Sequence, residues 1–188
     1  MKKLYWAEII LLVMAAICLC SCRSTSGTDH DQIVRTSIDL AEAYRSQGRL
    51  EMAVDVYDRA LTQADDYRLY YNKALILSEL GRYDDAANLC SSSFESYPYI
   101  MAFKRAQALN LRFAGNNPGF YDVSLQILQL SPYDRETRMR LIEAYAEDGL
   151  DDKAYEQALI LWNQGYMTDI IHQYLKAYKP DLWENISL

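Results

Sequence analysis

The chain has 188 residues, of which 51% are hydrophobic and 24% are charged, and its formal net charge is −7. These proportions are typical of globular proteins and exclude both general disorder and a protein with several membrane spans. The acidic balance and the absence of any run of Lys and Arg argue against a nucleic-acid partner, because a phosphate backbone requires a concentrated basic surface.

Residues 1–21 are predicted to form a signal peptide. Lys2 and Lys3 precede an apolar run of 12 residues, Ile9 to Cys20. A bilayer span needs ~20 apolar residues, so this run favours a cleaved export signal over a transmembrane anchor.

The end of this segment, Leu19-Cys20-Ser21-Cys22, resembles the lipoprotein box of bacterial lipoproteins. The resemblance implies that Cys22 is acylated and becomes the N-terminus of the mature protein. Small Ser21 suits a cleavage site before Cys22, whereas bulky Leu19 does not suit one before Cys20; Cys22 is therefore preferred, and Cys20 is the alternative. Two or more acyl chains, such as palmitate, hold a protein stably on a membrane. The implied location is the bacterial cell envelope, on the periplasmic face of a membrane or at the cell surface.

Residues 22–30 are predicted to form a flexible tether. The stretch from Arg23 to His30 is rich in Ser, Thr and Gly and shows no apolar periodicity. Such a tether would keep the folded domain near the membrane surface.

Four glycines recur at a nearly constant interval: Gly48, Gly81, Gly115 and Gly149 are separated by 33, 34 and 34 residues. Apolar residues before and after each glycine follow the spacing of an amphipathic helix. A period near 34 with a glycine between two helical halves predicts stacked helical hairpins that share one core. We therefore expect four helical hairpins over residues 31–166.

Small and aromatic residues surround the first glycine at helical spacing: Ala41, Tyr44, Ala53, Tyr57 and Ala60. Pro98 and Pro132 each stand 17 residues after a glycine, where a proline disfavours helix in the preceding residue and so closes a hairpin. This pattern is similar to the tetratricopeptide repeat (TPR) family over about residues 33 to 166. The resemblance implies an all-α fold, a right-handed superhelical solenoid of four TPR-like hairpins.

The third hairpin departs from this pattern at its turn. Phe120 follows the turn-forming sequence Asn116 to Gly119 and stands where the other hairpins have an alanine: Ala53, Ala86 and Ala154. A ring at this position would overpack the hairpin by ~1 to 3 kcal/mol if nothing moved. We therefore expect the third turn to be wider or shifted, either as a protruding loop or as part of a degenerate repeat.

Residues 167–180 are predicted to form a capping helix. Apolar residues keep helical spacing from Ile170 to Tyr178, and the pattern stops at Pro180. Such a helix covers the last apolar face of a repeat array. Residues 181–188 are expected to form a loose tail.

The sequence offers little catalytic chemistry. His30 and His172 are the only histidines, and neither has a second histidine or a cysteine at ligand spacing. Cys90 is the only cysteine after Cys22, which excludes a disulfide framework within the mature chain. Three pairs of aspartates stand beside predicted helix starts, where acids favour the positive end of the helix dipole: Asp65-Asp66, Asp84-Asp85 and Asp151-Asp152. We expect no enzymatic activity, no metal and no cofactor.

The TPR resemblance also implies that the first helix of each hairpin lines the concave surface of the array. Carried over to this sequence, the binding surface includes Arg35, Ile38, Tyr71, Leu75, Arg105, Leu109, Arg112, Phe113 and Met139. The expected function is a membrane-anchored protein–protein interaction module that binds a peptide or protein partner in the cell envelope. The alternative is a ligand-binding accessory lipoprotein of a transport or envelope-assembly system.

Overall fold

The structure, a computed structural model, describes the fold of residues 25–183. Every regular element in this part of the chain is an α-helix, which confirms the predicted all-α class and its consecutive hairpins. The helices are α1 Thr25–Ser46, α2 Leu50–Leu61, α3 Tyr67–Glu79, α4 Tyr83–Ser96, α5 Met101–Phe113, α6 Asn117–Leu130, α7 Arg135–Glu147, α8 Asp151–Asn163, α9 Asp169–Tyr178 and α10 Pro180–Trp183. None of these helices is long and apolar enough to cross a bilayer. The predicted signal peptide and Cys22 lie outside the described residues.

Each hairpin turn is built around a glycine in the left-handed conformation. Gly48, Gly81, Gly115 and Gly149 have φ between +68° and +76°, a conformation that costs a residue with a side chain about 1 to 2 kcal/mol. In every case the N–H of the next residue donates to the carbonyl oxygen four residues before the glycine, over 2.8–2.9 Å. The following helix begins two residues after the glycine. The repeated glycine therefore marks the same backbone geometry four times.

The chain divides into two compact units between Ile76 and Leu77, within α3. In the first unit, α1 and α2 pack together. Its core contains Val34, Ala41, Ala53, Val54, Val56, Tyr57, Ala60, Leu69 and Ala74. The alanines allow close approach of neighbouring backbones, and the Tyr57 ring fills the remaining space; burial raises the pKa of its phenol to about 12.

Much of the core of the second unit is one apolar cluster that runs from α5 to α10. Successive helices in this stretch pack against each other. The cluster contains Ala108, Phe120, Val123, Ile127, Leu128, Leu141, Ile142, Tyr145, Ala154, Ala158, Leu161, Ile171, Leu175 and Trp183. Burying a large apolar side chain of this kind stabilises a fold by ~1.5–3 kcal/mol, so the shared cluster explains why these helices stay stacked.

The expectation of a wider or shifted third turn is wrong. Gly115 has the same conformation and hydrogen-bond pattern as the other three glycines. The Asn116 side chain caps α6 by accepting the Gly119 N–H at 3.0 Å, and Pro118 stands in the first turn, where no N–H is needed. The Phe120 ring is only 3% exposed and belongs to the cluster of the second unit. The core therefore accommodates the ring without a change in the turn.

The beginning of the described chain also differs from the expectation. Helix α1 begins at Thr25, so residues 25–30 of the predicted tether are helical. His30 and Asp31 contact Asp66 and Arg68 next to the α2–α3 turn. These partners lie 36 and 37 residues away along the chain, and local composition, on which the tether prediction rests, does not reveal them.

The predicted capping helix is α9, but the expectation of a loose tail is wrong for residues 181–183. Pro180 begins the short helix α10, because proline suits the first position of a helix. Trp183 is 7% exposed, and its ring lies edge-on at 5.1 Å from the Trp162 ring. Its indole Nε1 donates to the Tyr155 hydroxyl at 3.2 Å. The end of the array is therefore covered by α9 and α10 together.

Candidate functional site

In the first unit, two helices carry four of the predicted binding residues. Arg35 and Ile38 are on α1, and Tyr71 and Leu75 are on α3. The Arg35 side chain is largely exposed and pairs with Asp31 at 2.8 Å. The three apolar side chains are half-buried, and the spacing of Tyr71 and Leu75 puts both on one face of α3. Both helices therefore present apolar surface that is still partly accessible.

A cluster of charges fixes the start of α3 to α1. We call His30, Asp31, Asp66 and Arg68 the charge cluster. Arg68 donates through Nε to Asp66 Oδ1 at 2.9 Å and through Nη2 to Asp31 Oδ1 at 3.1 Å, and His30 Nε2 lies 3.4 Å from Asp66 Oδ2. The hydrogen bond from Arg68 lowers the pKa of Asp66 to about 2, although burial opposes that shift. Asp66 also accepts the Arg68 backbone N–H at 2.9 Å, which agrees with the prediction that this acid marks a helix start.

In the second unit, α5 and α7 carry the other five predicted binding residues: Arg105, Leu109, Arg112, Phe113 and Met139. Leu109 and Met139 are half-buried. Phe113 remains 53% exposed, although its ring lies 5.4 Å from the Tyr83 ring. This face therefore offers an accessible aromatic ring beside partly accessible aliphatic side chains.

Both arginines on this face are paired with acids of the next hairpin. Arg105 Nε donates to Asp134 Oδ2 at 2.8 Å. Arg112 pairs with Glu147 at the end of α7, and its second guanidinium nitrogen lies 3.7 Å from Asp148. The partners in the two hydrogen bonds are 29 and 35 residues apart, close to one repeat length. The guanidinium groups are therefore held in place along the surface.

Asp148 also joins a second set of contacts that sequence reasoning missed. The Tyr121 hydroxyl donates to Asp148, and Asn117 Nδ2 donates to the same carboxylate at 2.7 Å. The hydrogen bond from Tyr121 lowers the pKa of Asp148. Burial, together with that carboxylate, raises the pKa of Tyr121 to about 12. These contacts tie the start of α6 to the end of α7, and their partners are 31 and 27 residues apart along the chain.

Helix α9 adds two tyrosines that were not among the predicted binding residues. Burial raises the pKa of Tyr174, and the negative charges of Glu143 and Glu147 on α7 raise it further. The Tyr174 and Tyr178 rings are stacked at 6.4 Å. The sequence signal for the acidic part of this surface is the pair Glu143 and Glu147, which are four residues apart and therefore share one face of α7.

The candidate metal ligands and nucleophiles among the described residues have defined surroundings. Among them, no set of His, Cys, Asp and Glu side chains is arranged to hold a metal ion. The other predicted aspartate pairs lie in the first turns of helices, as expected: Asp84 and Asp85 in α4, and Asp151 and Asp152 in α8. Cys90 is buried, and burial raises the pKa of its thiol to about 12, which makes it a poor nucleophile.

Comparisons with known proteins agree with this architecture. Residues 34–67 and 67–98 each match the tetratricopeptide repeat model. A tetratricopeptide repeat protein from Parabacteroides merdae is similar with a TM-score of 0.66 and 14% identity, over 80% of this chain and 61% of its own. MamA from Desulfovibrio magneticus has a TM-score of 0.62 and 16% identity, over 80% of this chain and 85% of its own. No curated protein matches the sequence.

A third similar structure contains a bound peptide. It is the second TPR domain of human RPAP3 in complex with the HSP70 peptide SGPTIEEVD. It has a TM-score of 0.54 and 16% identity, over 61% of this chain and 97% of its own. At these identities the likeness concerns the fold.

Consecutive helical hairpins, each turning at a left-handed glycine, define a helical-repeat protein. The family match identifies residues 34–98 as two tetratricopeptide repeats, and the later hairpins share their turn geometry. This repeat fold supports protein–protein interaction.

Proposed function

We propose that this protein is a membrane-anchored interaction module of the bacterial cell envelope, which binds a peptide or protein partner and has no enzymatic activity. The observation that carries the proposal is the half-exposed ring of Phe113 on α5, flanked on the same helix by Arg105 and Arg112. It lies on a repeat fold that, in the human RPAP3 domain, is found in complex with a peptide.

The composition of this face suits partner binding. Hot spots in protein interfaces are enriched in arginine and in large aromatic side chains. Arg105 and Arg112 are already held by Asp134 and Glu147, so they lose less side-chain entropy when a partner docks. The Arg105 side chain is still 46% exposed and can donate further hydrogen bonds. We therefore place the partner across α5 and α7 of the second unit.

Site-specific cross-linking tests this placement. A photoreactive benzoylphenylalanine at Phe113 should capture a defined partner in living cells. The matched control is the same group at Leu130, which is 61% exposed but lies on α6, a helix that carries none of the predicted binding residues. Capture at both positions alike, or at neither, would contradict the proposed binding surface.

The captured partner then allows an affinity measurement. Phe113→Ala should weaken its binding by ~2 kcal/mol, as expected for a hot-spot aromatic, while Leu130→Ala leaves the affinity unchanged. Both variants should retain the thermal midpoint of the parent protein, because both side chains are more than half exposed. A drop in thermal midpoint for Phe113→Ala would assign the ring to the core instead.

The proposed membrane anchor is the lipid on Cys22. Support comes from the resemblance of Leu19 to Cys22 to the lipoprotein box and from the apolar run before it. Cys22→Ala should abolish palmitate labelling and release the protein into the soluble fraction, whereas Cys20→Ala should keep both labelling and membrane association. The reverse pattern would make Cys20 the acceptor, and full labelling of both variants would refute the anchor.

A further inference from the structure

The start of α1 limits how far the folded protein can lie from the proposed anchor. Helix α1 begins at Thr25, three residues after Cys22. Three residues span at most about 10 Å even when fully extended. This reach is far shorter than that of the tether of residues 22–30 that the sequence predicted.

The charge cluster fixes this end of the helix to the rest of the first unit. His30 Nε2 lies 3.4 Å from Asp66 Oδ2, and Asp31 Oδ1 accepts from Arg68 Nη2 at 3.1 Å. Helical rise from Thr25 adds only 1.5 Å per residue. His30 therefore lies within about 18 Å of Cys22 along the chain, and the α2–α3 turn lies beside His30.

We infer that one end of the first unit rests against the lipid headgroups of the membrane. This tethered end consists of residues 29–31, in the second turn of α1, and residues 62–67, which comprise the α2–α3 turn and the first residue of α3. The inference depends on the proposed acylation of Cys22. The opposite end of the same helix pair, at the Gly48 turn, is held away from the bilayer surface.

The chemistry of the tethered end fits a headgroup layer. Asp29, Thr62, Gln63 and Asp65 are exposed, and the charge cluster beside them is already hydrogen-bonded within the protein. Exposed carboxylates and amides are hydrated, so they suit the polar interface and not the hydrocarbon interior. Since acids outnumber bases here, zwitterionic headgroups fit this end better than anionic ones, which would repel it.

The length of α1 makes the two ends distinguishable. From His30 to Ser46 the helix extends about 24 Å, and the Gly48 turn follows directly. A short tether holds only the tethered end at the membrane surface. The Gly48 turn can reach the membrane only if the whole unit lies flat on it. The orientation is therefore measurable from two positions on the first unit.

Gln63 and Gln47 provide a matched pair of label positions, because both are exposed glutamines in turns at opposite ends of the unit. We would replace each with cysteine in the full chain, purify the processed lipoprotein and attach a fluorophore. Cys90 is buried and should react little with the fluorophore. The parent protein, labelled in parallel, measures how much fluorophore attaches to Cys90. The protein is then inserted into phosphatidylcholine vesicles that carry nitroxide on the lipid headgroups.

A fluorophore at position 63 should be strongly quenched by the headgroup nitroxide. A fluorophore at position 47 should show no such quenching. A control inserts about 20 Gly and Ser residues between Arg23 and Ser24, a flexible segment long enough to release the unit. The insertion should reduce quenching at 63 to the level at 47 while the protein still sediments with the vesicles.

Two results would overturn the inference in different ways. Equal quenching at both positions, or quenching at 63 that survives the insertion, would refute the tethered end in a protein that is nevertheless acylated. Absence of palmitate from the parent protein, measured on the same preparation, would refute the anchor itself and with it this inference.

Discussion

The two ends of the described chain are held by different kinds of contact. In the first unit, the start of α1 is held by the charge cluster, in which Arg68 hydrogen-bonds to Asp66 and Asp31. In the second unit, α10 is held by aromatic packing of Trp183 against Trp162 and by its hydrogen bond to Tyr155. The first kind of contact depends on the protonation state of a carboxylate, and the second depends on apolar area.

Because the two ends are held by different contacts, their contributions to stability should respond differently to salt and to pH. Partly exposed ion pairs are weakened by salt and by acid. A buried indole contributes through its large apolar area and its ring geometry. We therefore expect the C-terminal end to contribute more to stability at neutral pH and the N-terminal end to respond more to pH.

The largest expected effect is at the C-terminal end. Trp183→Ala should lower the free energy of unfolding by about 3 kcal/mol, because it removes a buried aromatic side chain and leaves a cavity beside Trp162. Urea unfolding followed by circular dichroism measures this loss. The neighbouring Leu182 is 65% exposed, so Leu182→Ala should change the stability little. Equal effects of the two substitutions would show that α10 is not packed as described.

A smaller effect is expected at the N-terminal end, and it should depend on pH. The pKa of Asp66 falls from 3.8 to about 2 in the folded protein, which corresponds to about 2 kcal/mol of stabilisation when the group is ionised in both states. Because the folded-state pKa is lowered, this contribution is complete above about pH 5 and is lost as the pH falls through 2.

Asp66→Asn measures that contribution. The variant should be less stable than the parent at pH 7 by about 2 kcal/mol, and the difference should shrink as the pH is lowered toward 2. Asp39→Asn serves as the control, since Asp39 is an exposed carboxylate on α1 outside the charge cluster. A stability difference for Asp66→Asn that is constant from pH 7 to pH 2 would contradict the ionic origin of the contact.

The smallest effect is expected at a site between these ends. Gly115→Ala should destabilise the protein by about 1 kcal/mol, through the left-handed backbone alone, because a Cβ at this glycine would meet no atom within 4 Å. Gly115→Asn should reduce the stability less than Gly115→Ala, since asparagine tolerates this conformation better than alanine. Thermal unfolding of both variants checks the order, and an alanine variant as stable as the parent would contradict the strain argument.

The hairpins could be predicted from the sequence because each turn depends on a local requirement. A glycine at position 48, 81, 115 or 149 meets the need for positive φ wherever a helix ends and the next begins two residues later. Such a requirement is visible in any single sequence that repeats it. The sequence-based prediction was wrong where a residue's environment depends on residues that are distant along the chain.

Phe120 and Trp183 show that failure. The other hairpins have an alanine at the position of Phe120, so the larger residue predicted a disturbed turn. The ring instead packs into a cluster of residues from α5 to α10, which are distant along the chain. Pro180 was interpreted as the end of helical structure, although proline is equally suited to begin a helix. The burial of Trp183 depends on Trp162 and Tyr155, which lie on another helix.

The candidate binding surface was predicted as a set of positions, and the partners of those positions were not. Arg105 and Arg112 pair with Asp134 and Glu147, which stand about one repeat further along the chain. A comparison of charges one repeat apart could have indicated these pairs. Asn117 and Asp148 are 31 residues apart, so the same comparison could have indicated this contact, whereas Tyr121 and Asp148 are 27 residues apart and further from the repeat length.

The sequence order of the packed helices bears on how fast this protein folds. In the second unit, successive helices from α4 to α10 pack against each other, so the loops that must close are short. Proteins dominated by such local contacts fold in microseconds to milliseconds, whereas a ribosome takes ~2 to 7 s to add one repeat of about 34 residues. If the proposed export uses a channel that passes only unfolded polypeptide, the chain has to cross the membrane as it is made or be held unfolded by another protein until it has crossed.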